Sequence, residues 1–101
     1  MTAAYLIVES QVTDAEAFKA YLAAAPDVVE AFGGQYLVRA GHSEVLEGDW
    51  NPPRMTVLRF PSFAQAKAMY DSPGYTHARS LRQGTTACFN MVLVEGAEAP
   101  V

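Results

Sequence analysis

Residues 54–65 have the sequence RMTVLRFPSFAQ, and this stretch joins a β-strand to the start of a helix. The run that ends at Phe60 is mainly apolar and contains the β-branched residues typical of strands. Ser62 lies three residues before Gln65, which is the capping-box spacing found at helix N-termini. The helix is predicted to continue to about Asp71. Both element types therefore occur within this one segment.

The segment upstream repeats the same succession of strand and helix. A strand is predicted over residues 4–12, and the capping box formed by Thr13 and Glu16 predicts that a helix begins there. Pro26 lacks a backbone donor, so the pattern predicts either a kink or a second short helix at that point. The glycine pair at 33–34 supplies the left-handed conformation that ends helices.

The rest of the chain completes the pattern of elements. The predicted elements are a strand over residues 35–40, a polar connection over 41–53 with a strand-like piece at 44–46, a short helix over about 72–83, and a last strand over 87–95. The order βαββαβ is the ferredoxin-like arrangement, in which a four-stranded antiparallel sheet carries its helices on one face. With 101 residues, we expect a single α+β domain over residues 1–101.

The second face of this sheet also needs a cover. Residues 5–8, 55–58 and 89–94 are nearly continuous in apolar side chains, whereas a sheet with one wet face alternates apolar and polar residues. An apolar patch of that size is rarely left in water, and the chain has no segment left over to cover it. We therefore predict a homodimer that forms through the sheet face.

Composition excludes several classes of function. Seven Lys and Arg against eleven Asp and Glu give a net charge of −4 without a basic run, so nucleic acid and anionic membranes are poor partners. The start of the chain resembles a strand rather than a signal peptide, and no apolar stretch approaches the ~20 residues of a membrane span. The lone Cys88 is predicted to be a buried, inert thiol, which fits a reducing cytoplasm.

The sequence offers little that would hold a metal or a cofactor. His42, His77 and Cys88 do not stand at metal-ligand spacing, so a metal site is not expected. The chain lacks a Gly-x-Ser-x-Gly elbow and a phosphate-binding glycine loop. No cofactor is predicted.

Several motifs together resemble the bacterial domain-of-unknown-function 1330 family. They are GGQYLVRAG at 33–41, EGDWNPPR at 47–54, FPS at 60–62, YDSPGY at 70–75, Arg82 and VEG at 94–96. The resemblance implies a dimeric α+β barrel with two ferredoxin-like sheets packed face to face, similar in architecture to small monooxygenases and muconolactone isomerases. It implies no particular activity. Met69 departs from the aromatic pair expected before Tyr70, which predicts a reshaped pocket beneath that helix.

Four polar residues interrupt the apolar strands, one on each strand. If the faces of their strands coincide, these residues line a cavity between two sheets and orient a small polar or anionic molecule. The alternative is that each charge lies at a strand end in water or pairs with a neighbour. The four residues are Glu9, Arg39, Arg59 and Asn90.

Two further groups of residues are candidates for a binding or catalytic site. In the polar connection, Trp50 and Arg54 either border a site, or Trp50 caps the core or a partner subunit while Arg54 pairs with an acidic group. In the late helices, His77 beside a tyrosine and an arginine suits general-base catalysis with a phenol donor and an anion clamp, and the alternative is a solvated helix face. The candidates in that second group are Tyr70, Tyr75, His77, Arg79 and Arg82.

Two functions from different classes remain open. The first is a cofactor-independent enzyme or a binder of a small polar or anionic molecule, which requires a pocket of at least roughly 300 Å³. Its candidate substrate contacts are Arg39, Trp50, Arg54, Tyr75 and Arg82, and its weaker catalytic candidates are Glu9, Tyr70 and His77. The second is a non-catalytic dimerisation or stress-related module with a packed interior, in which Glu9, Glu44, Glu47 or Glu95 pair with the arginines.

Overall fold

A computed structural model describes residues 2–97 of the chain. Its elements are, in order, β1 (Ala4–Val12), α1 (Ala15–Ala31), β2 (Gln35–Arg39), β3 (Met55–Phe60), α2 (Phe63–Asp71), α3 (Pro73–Ser80) and β4 (Thr86–Glu95). The strands form one antiparallel sheet in the order β2-β3-β1-β4. This arrangement confirms the predicted α+β fold. Met1 and the part of the predicted polar tail beyond Ala97 lie outside the described residues.

The two faces of the sheet have different surroundings. On β1, Leu6, Val8 and Ser10 are buried beneath the helices. The alternate residues of the strand face the other way, and the strand register places Ile7 directly between Val57 of β3 and Val92 of β4. We call this second face the open face, because no element of residues 2–97 covers it. The apolar character of both faces follows the prediction from the sequence.

The core lies between the sheet and the helices. Tyr75, Phe60 and Met69 are its largest fully buried side chains. Helix α2 packs on β1, β3 and β4, and α1 packs against α3 while Ala25 and Val29 join the core cluster. The candidate site lies between α1 and the sheet.

Helix α1 differs from the prediction in two respects. Its N-cap is Asp14, whose carboxylate accepts a hydrogen bond from the backbone N–H of Ala17 at 3.0 Å, so the prediction of a cap at Thr13 is wrong. The reason is tertiary, because the N–H groups of Thr13 and Asp14 both donate to the carbonyl of Thr85 at 2.8 and 3.1 Å. The helix also continues through Pro26, since the loss of one donor is outweighed by the burial of its apolar face.

The connection between β2 and β3 extends into solvent. Residues 44–46 do not form the predicted strand, and Leu46 in this segment is 85% exposed. Cys88 is half-buried rather than buried, because it lies on β4, an edge strand of the sheet that has no fully buried position. No helix within residues 2–97 has both the length and the apolar character needed to cross a membrane.

A close approach explains the second glycine of the 33–34 pair. A Cβ atom on Gly34 would lie 2.5 Å from Cγ1 of Val29 and 2.7 Å from Cε2 of Phe60. Only glycine lets the chain turn from α1 into β2 at this distance from the core. Gly33 has φ of 82°, which is the left-handed conformation expected at a helix end.

Candidate functional site

A cleft opens between α1 and the helix-covered face of the sheet. Aliphatic and aromatic side chains form its walls, while arginine and hydroxyl groups supply its polar atoms. The lining residues are Leu6, Val8, Ser10, Phe18, Tyr21, Leu22, Ala25, Val29, Tyr36, Arg39, Arg54, Thr56, Leu58, Met69, Tyr75, Phe89 and Met91. Met69 of α2 is one of these lining residues.

Three side chains from different elements meet at one side of the cleft. The hydroxyl oxygens of Tyr21 and Tyr75 lie 2.6 Å apart and share a hydrogen bond. Arg82 donates from Nη1 to the Tyr75 oxygen at 3.4 Å. The Arg82 guanidinium carbon also lies 3.8 Å from the ring centre of Phe89 and 5.0 Å from that of Tyr21. Stacking on these rings holds Arg82 in place without a carboxylate.

The phenols of Tyr21 and Tyr36 are kept in the protonated form. Burial raises the pKa of Tyr21 far above its ordinary value of 10.0, and the field and hydrogen bond of Tyr75 add to this, while Arg82 opposes it. Burial also raises the pKa of Tyr36, and Arg39 opposes that shift. Because phenolates are disfavoured here, these hydroxyls act as hydrogen-bond donors rather than as bases.

The other two arginines of the cleft also lie over aromatic rings. Arg39 stands 4.2 Å from the ring centre of Tyr36, and Arg54 stands 5.7 Å from that of Phe18. Within residues 2–97 the salt bridges are Lys19–Glu16 and Lys67–Asp71, so none of the three cleft arginines pairs with a carboxylate there. The cleft is therefore a positively charged place in an acidic chain.

The structure brings four of the five predicted substrate contacts together. Arg39, Arg54 and Tyr75 line the cleft, and Arg82 touches its wall. Trp50 does not belong to this group, since its side chain lies on the open face and is 61% exposed.

The catalytic candidate Glu9 also lies on the open face. Its carboxylate accepts hydrogen bonds from the indole N–H of Trp50 and from the side-chain amide of Asn90, each at 3.1 Å. The register places Arg59 on the same face, opposite Tyr5. Three of the four polar strand residues thus share a face, while Arg39 lines the cleft on the other side of the sheet.

The remaining candidates from the late helices lie apart from the cleft. Tyr70 accepts a hydrogen bond from Arg79, whose guanidinium also lies 4.7 Å from its ring centre. His77 is exposed on α3. The expected combination of His77 with a phenol and an arginine at one site does not form, because the phenols and Arg82 point inward while His77 points to solvent.

Sequence reasoning missed Tyr21 as a site residue. Tyr21 stands three residues after Phe18, a spacing typical of the apolar face of a helix, and its ring contacts Phe18 at a centroid distance of 5.4 Å. A usable signal was its hydroxyl, since a buried tyrosine needs a hydrogen-bond partner. Ser10, Thr56 and Phe89 were missed as well, because only the strand register brings them to the cleft.

The cleft is smaller than the first hypothesis requires. Its enclosed volume is about 50 Å³ and reaches about 570 Å³ only when open solvent at the mouth is included. The enclosed value is the relevant one for buried contact, and it is below the roughly 300 Å³ of a typical small-molecule pocket. A ligand must therefore be small and keep part of its surface at the mouth. Residues 2–97 contain no cluster of three or more potential metal-ligating side chains.

The raised pKa of Tyr21 predicts a loss of stability at alkaline pH. The unfolded chain releases this proton near pH 10 while the native state retains it, so the contribution is complete below pH 10 and declines as pH rises. Above pH 10 we expect the free energy of unfolding to fall less steeply in Tyr21→Phe than in the wild type. The difference between the two slopes is up to ~1.4 kcal/mol per pH unit. Urea denaturation at pH 8, 10 and 11 measures this, and parallel profiles for the two proteins would contradict it.

The fold places the protein in a broad structural class. It is a ferredoxin-like α+β protein, as two solved structures illustrate. A dimeric ferredoxin-like protein of unknown function from Thermobifida fusca is 12% identical, with a TM-score of 0.61 over 91% of this chain and 89% of that one. A protein from Nitrosomonas europaea proposed to be an antibiotic biosynthesis monooxygenase is 18% identical, with a TM-score of 0.62 over 96% and 99%. At these identities the likeness shows the fold alone.

The family is narrower than this class. The model of the domain of unknown function DUF1330 matches residues 3–97, so the chain belongs to that family. A protein of unknown function from Rhodopseudomonas palustris is similar in structure, with 19% identity and a TM-score of 0.77 over 97% of this chain and 85% of that one. Comparison with curated proteins gave no match.

Proposed function

We propose that this protein binds a small organic anion in the cleft between α1 and the sheet. The observation that carries the proposal is the set of three cleft arginines, which lie on aromatic rings and form no salt bridge within residues 2–97. Guanidinium groups placed this way keep their hydrogen-bonding edges available for a carboxylate or a similar group. The net charge of −4 makes this concentration of positive charge a local feature.

The proposal extends to a homodimer that forms through the open face. Val92 is 60% exposed and Val94 is 43% exposed in the single chain, and both stand in the same sheet face as Ile7 and Val57. A second copy presents the same apolar surface, so a two-fold axis buries both at once. The Thermobifida fusca neighbour is described as dimeric. Two such sheets packed face to face make the α+β barrel.

The chemistry available in the cleft is electrostatic stabilisation and hydrogen-bond donation. Positively charged and hydroxyl groups suit a cofactor-independent enzyme that stabilises an anionic intermediate, and they suit a binding protein equally. We propose a cytoplasmic location because the lone cysteine fits a reducing compartment. We also propose that the whole chain acts as one domain.

The small enclosed volume favours a second candidate, a non-catalytic dimerisation module with a packed interior. That alternative requires carboxylates beside the arginines. Glu9 instead accepts hydrogen bonds from Trp50 and Asn90, so it is not the expected arginine partner. The binding function therefore agrees better with the contacts.

A thermal-shift screen with small carboxylates, phenols and lactones tests the binding function. A ligand at about ten times its Kd stabilises the native state by about 1.4 kcal/mol. In a domain of this size, each kcal/mol of added stability raises Tm by roughly 4–8 °C. We expect anionic members of the screen to raise Tm in proportion to the logarithm of their concentration.

Two arginines near β3 provide a matched pair of variants for this screen. Arg54 lines the cleft, whereas Arg59 lies on the open face. Arg54→Gln is expected to reduce the anion-dependent rise in Tm, and Arg59→Gln is expected to leave it unchanged. A flat screen, or an equal loss in both variants, would favour the dimerisation module.

A further inference from the structure

The polar side chains of the cleft are arginines and hydroxyls. Two guanidinium groups and the hydroxyls of five residues line it, Arg82 donates to one of these hydroxyls, and neither a carboxylate nor an imidazole is among its lining side chains within residues 2–97. Such a cleft has no group that removes a proton from a neutral ligand. An anion that binds here must therefore bring its negative charge from solution. The five hydroxyl residues are Ser10, Tyr21, Tyr36, Thr56 and Tyr75.

The tyrosine pair has one hydrogen that the protein does not use. Two hydroxyls carry two hydrogens, and the bond between Tyr21 and Tyr75 uses one of them. Arg82 only donates to this pair, so it accepts nothing. No other described side chain accepts from either hydroxyl, which leaves one O–H available to a ligand. Tyr75 is 1% exposed and Tyr21 is half-buried, so this donor lies within the protein whichever of the two hydroxyls supplies it.

Arg82 uses its face for stacking and keeps its edge for hydrogen bonds. Its face is occupied by the ring of Phe89, 3.8 Å away, with Tyr21 at 5.0 Å. One of its five N–H groups approaches Tyr75 at 3.4 Å, and the remaining donors have no acceptor among the described residues. A guanidinium edge next to a phenol donor matches the two oxygens of one carboxylate.

The walls of the cleft select the rest of the ligand. Tyr21 meets Tyr75 and Phe89 edge-on, at interplanar angles of 74° and 84°. Aromatic groups pack well against such walls, and an enclosed volume of about 50 Å³ admits a flat body more readily than a thick one.

Resting on the proposed binding function, we propose that the ligand class is a small aromatic monoanion, above all an aromatic carboxylate, that arrives already ionised. Its carboxylate takes the edge of Arg82 and the free hydroxyl of the Tyr21–Tyr75 pair. Its ring enters between α1 and the sheet. Recognition of charge then depends on the pKa of the ligand, because guanidinium groups stay charged at every physiological pH.

Calorimetric titration of the full chain with four probes tests this class. Benzoate is expected to bind more tightly than cyclohexanecarboxylate, which has the same charge but a thicker ring, and than inorganic phosphate, which leaves the apolar walls unfilled. Benzyl alcohol, which is neutral, is expected not to bind. If phosphate or cyclohexanecarboxylate binds at least as tightly as benzoate, and this binding depends on the arginines, the aromatic class is overturned. The anion-binding function would then still stand. Absence of binding by all four probes would overturn both.

Two arginines of similar setting separate the Arg82 contact from a general effect of charge. Arg82→Gln is expected to weaken benzoate about ten- to a hundredfold, the loss typical of a charged hydrogen bond. Arg79→Gln removes an arginine stacked on Tyr70 outside the cleft and is expected to leave benzoate affinity unchanged. Arg82→Lys keeps the charge without the edge geometry and is expected to weaken benzoate as well, so it also tests the contact if Arg82→Gln does not fold. Equal affinity of the wild type and Arg82→Lys would overturn the assignment.

A pH comparison tests whether the ligand arrives ionised. Benzoate is ionised throughout pH 6–9, so its affinity is expected to be constant there. 4-Nitrophenol ionises near neutrality, so it is expected to bind at pH 9 and to lose at least tenfold in affinity at pH 6. Equal binding of 4-nitrophenol at both pH values would show that the neutral phenol binds as well as the phenolate, and would overturn the inference.

Discussion

Val92→Lys is expected to leave the protein a monomer where the wild type forms the proposed dimer. The valine side chain is 60% exposed in the single chain, so the substitution places a lysine in water and leaves the fold of each subunit intact. In the proposed dimer the same position is covered by the partner, and a two-fold axis introduces the charge twice. Burial of two unpaired ammonium groups is expected to weaken association about a thousandfold or more.

Light scattering coupled to gel filtration measures this effect. The wild type should have twice the chain mass of 10.9 kDa, and the Val92→Lys variant should have the mass of one chain. Phe63→Lys serves as the control, because Phe63 is an apolar residue of α2 that is 44% exposed on the opposite layer of the molecule. A dimeric Val92→Lys protein, or a monomeric wild type at micromolar concentration, would contradict the face-to-face arrangement.

The open face was predictable because it depends on local pattern. Apolar residues at successive positions of a strand point to both sides of the sheet, so residues 5–8 must be covered twice. The order of elements then leaves helices for one side only. Neither step requires knowledge of which strands are neighbours, and the structure places Ile7, Val57 and Val92 side by side as this pattern implies.

The error in the predicted N-cap of α1 has a different origin. Thr13 and Asp14 are both good capping residues, so local preference does not separate them. Asp14 is the cap because the carbonyl of Thr85, just before the last strand, accepts hydrogen bonds from the backbone N–H groups of both Thr13 and Asp14. The position of this helix cap therefore depends on a contact between residues that are far apart in the sequence.

The candidate site was predictable only in part. Arg39 interrupts an apolar strand, Arg54 lies in the polar connection with Trp50, and Arg82 is part of the family resemblance, so the sequence singled out all three. The bond between Tyr21 and Tyr75 joins residues 54 positions apart. No spacing rule connects such a pair, because it depends on how α1 rests against α3. The chemical types were therefore foreseeable, and their partners were not.

The largest loss of stability is expected from the contact between Gly34 and Phe60. Phe60 is fully buried, and Phe60→Ala is expected to cost about 3–5 kcal/mol through lost burial and a new cavity. Gly34→Ala places a methyl group 2.7 Å from the Phe60 ring and 2.5 Å from Val29, which is expected to cost about 1–3 kcal/mol. Each is a large share of the ~5–15 kcal/mol that stabilises a typical domain.

The two substitutions are not expected to add. In a Phe60→Ala background the ring is gone, so the methyl group of Gly34→Ala enters part of the cavity and Val29 has room to shift. Urea denaturation of the four proteins gives the coupling energy, which we expect to favour the double variant by about 1 kcal/mol relative to the sum. Gly41→Ala is the control, since a Cβ there meets no atom within 4 Å. Strict additivity would mean that the turn into β2, rather than the ring of Phe60, requires glycine at position 34.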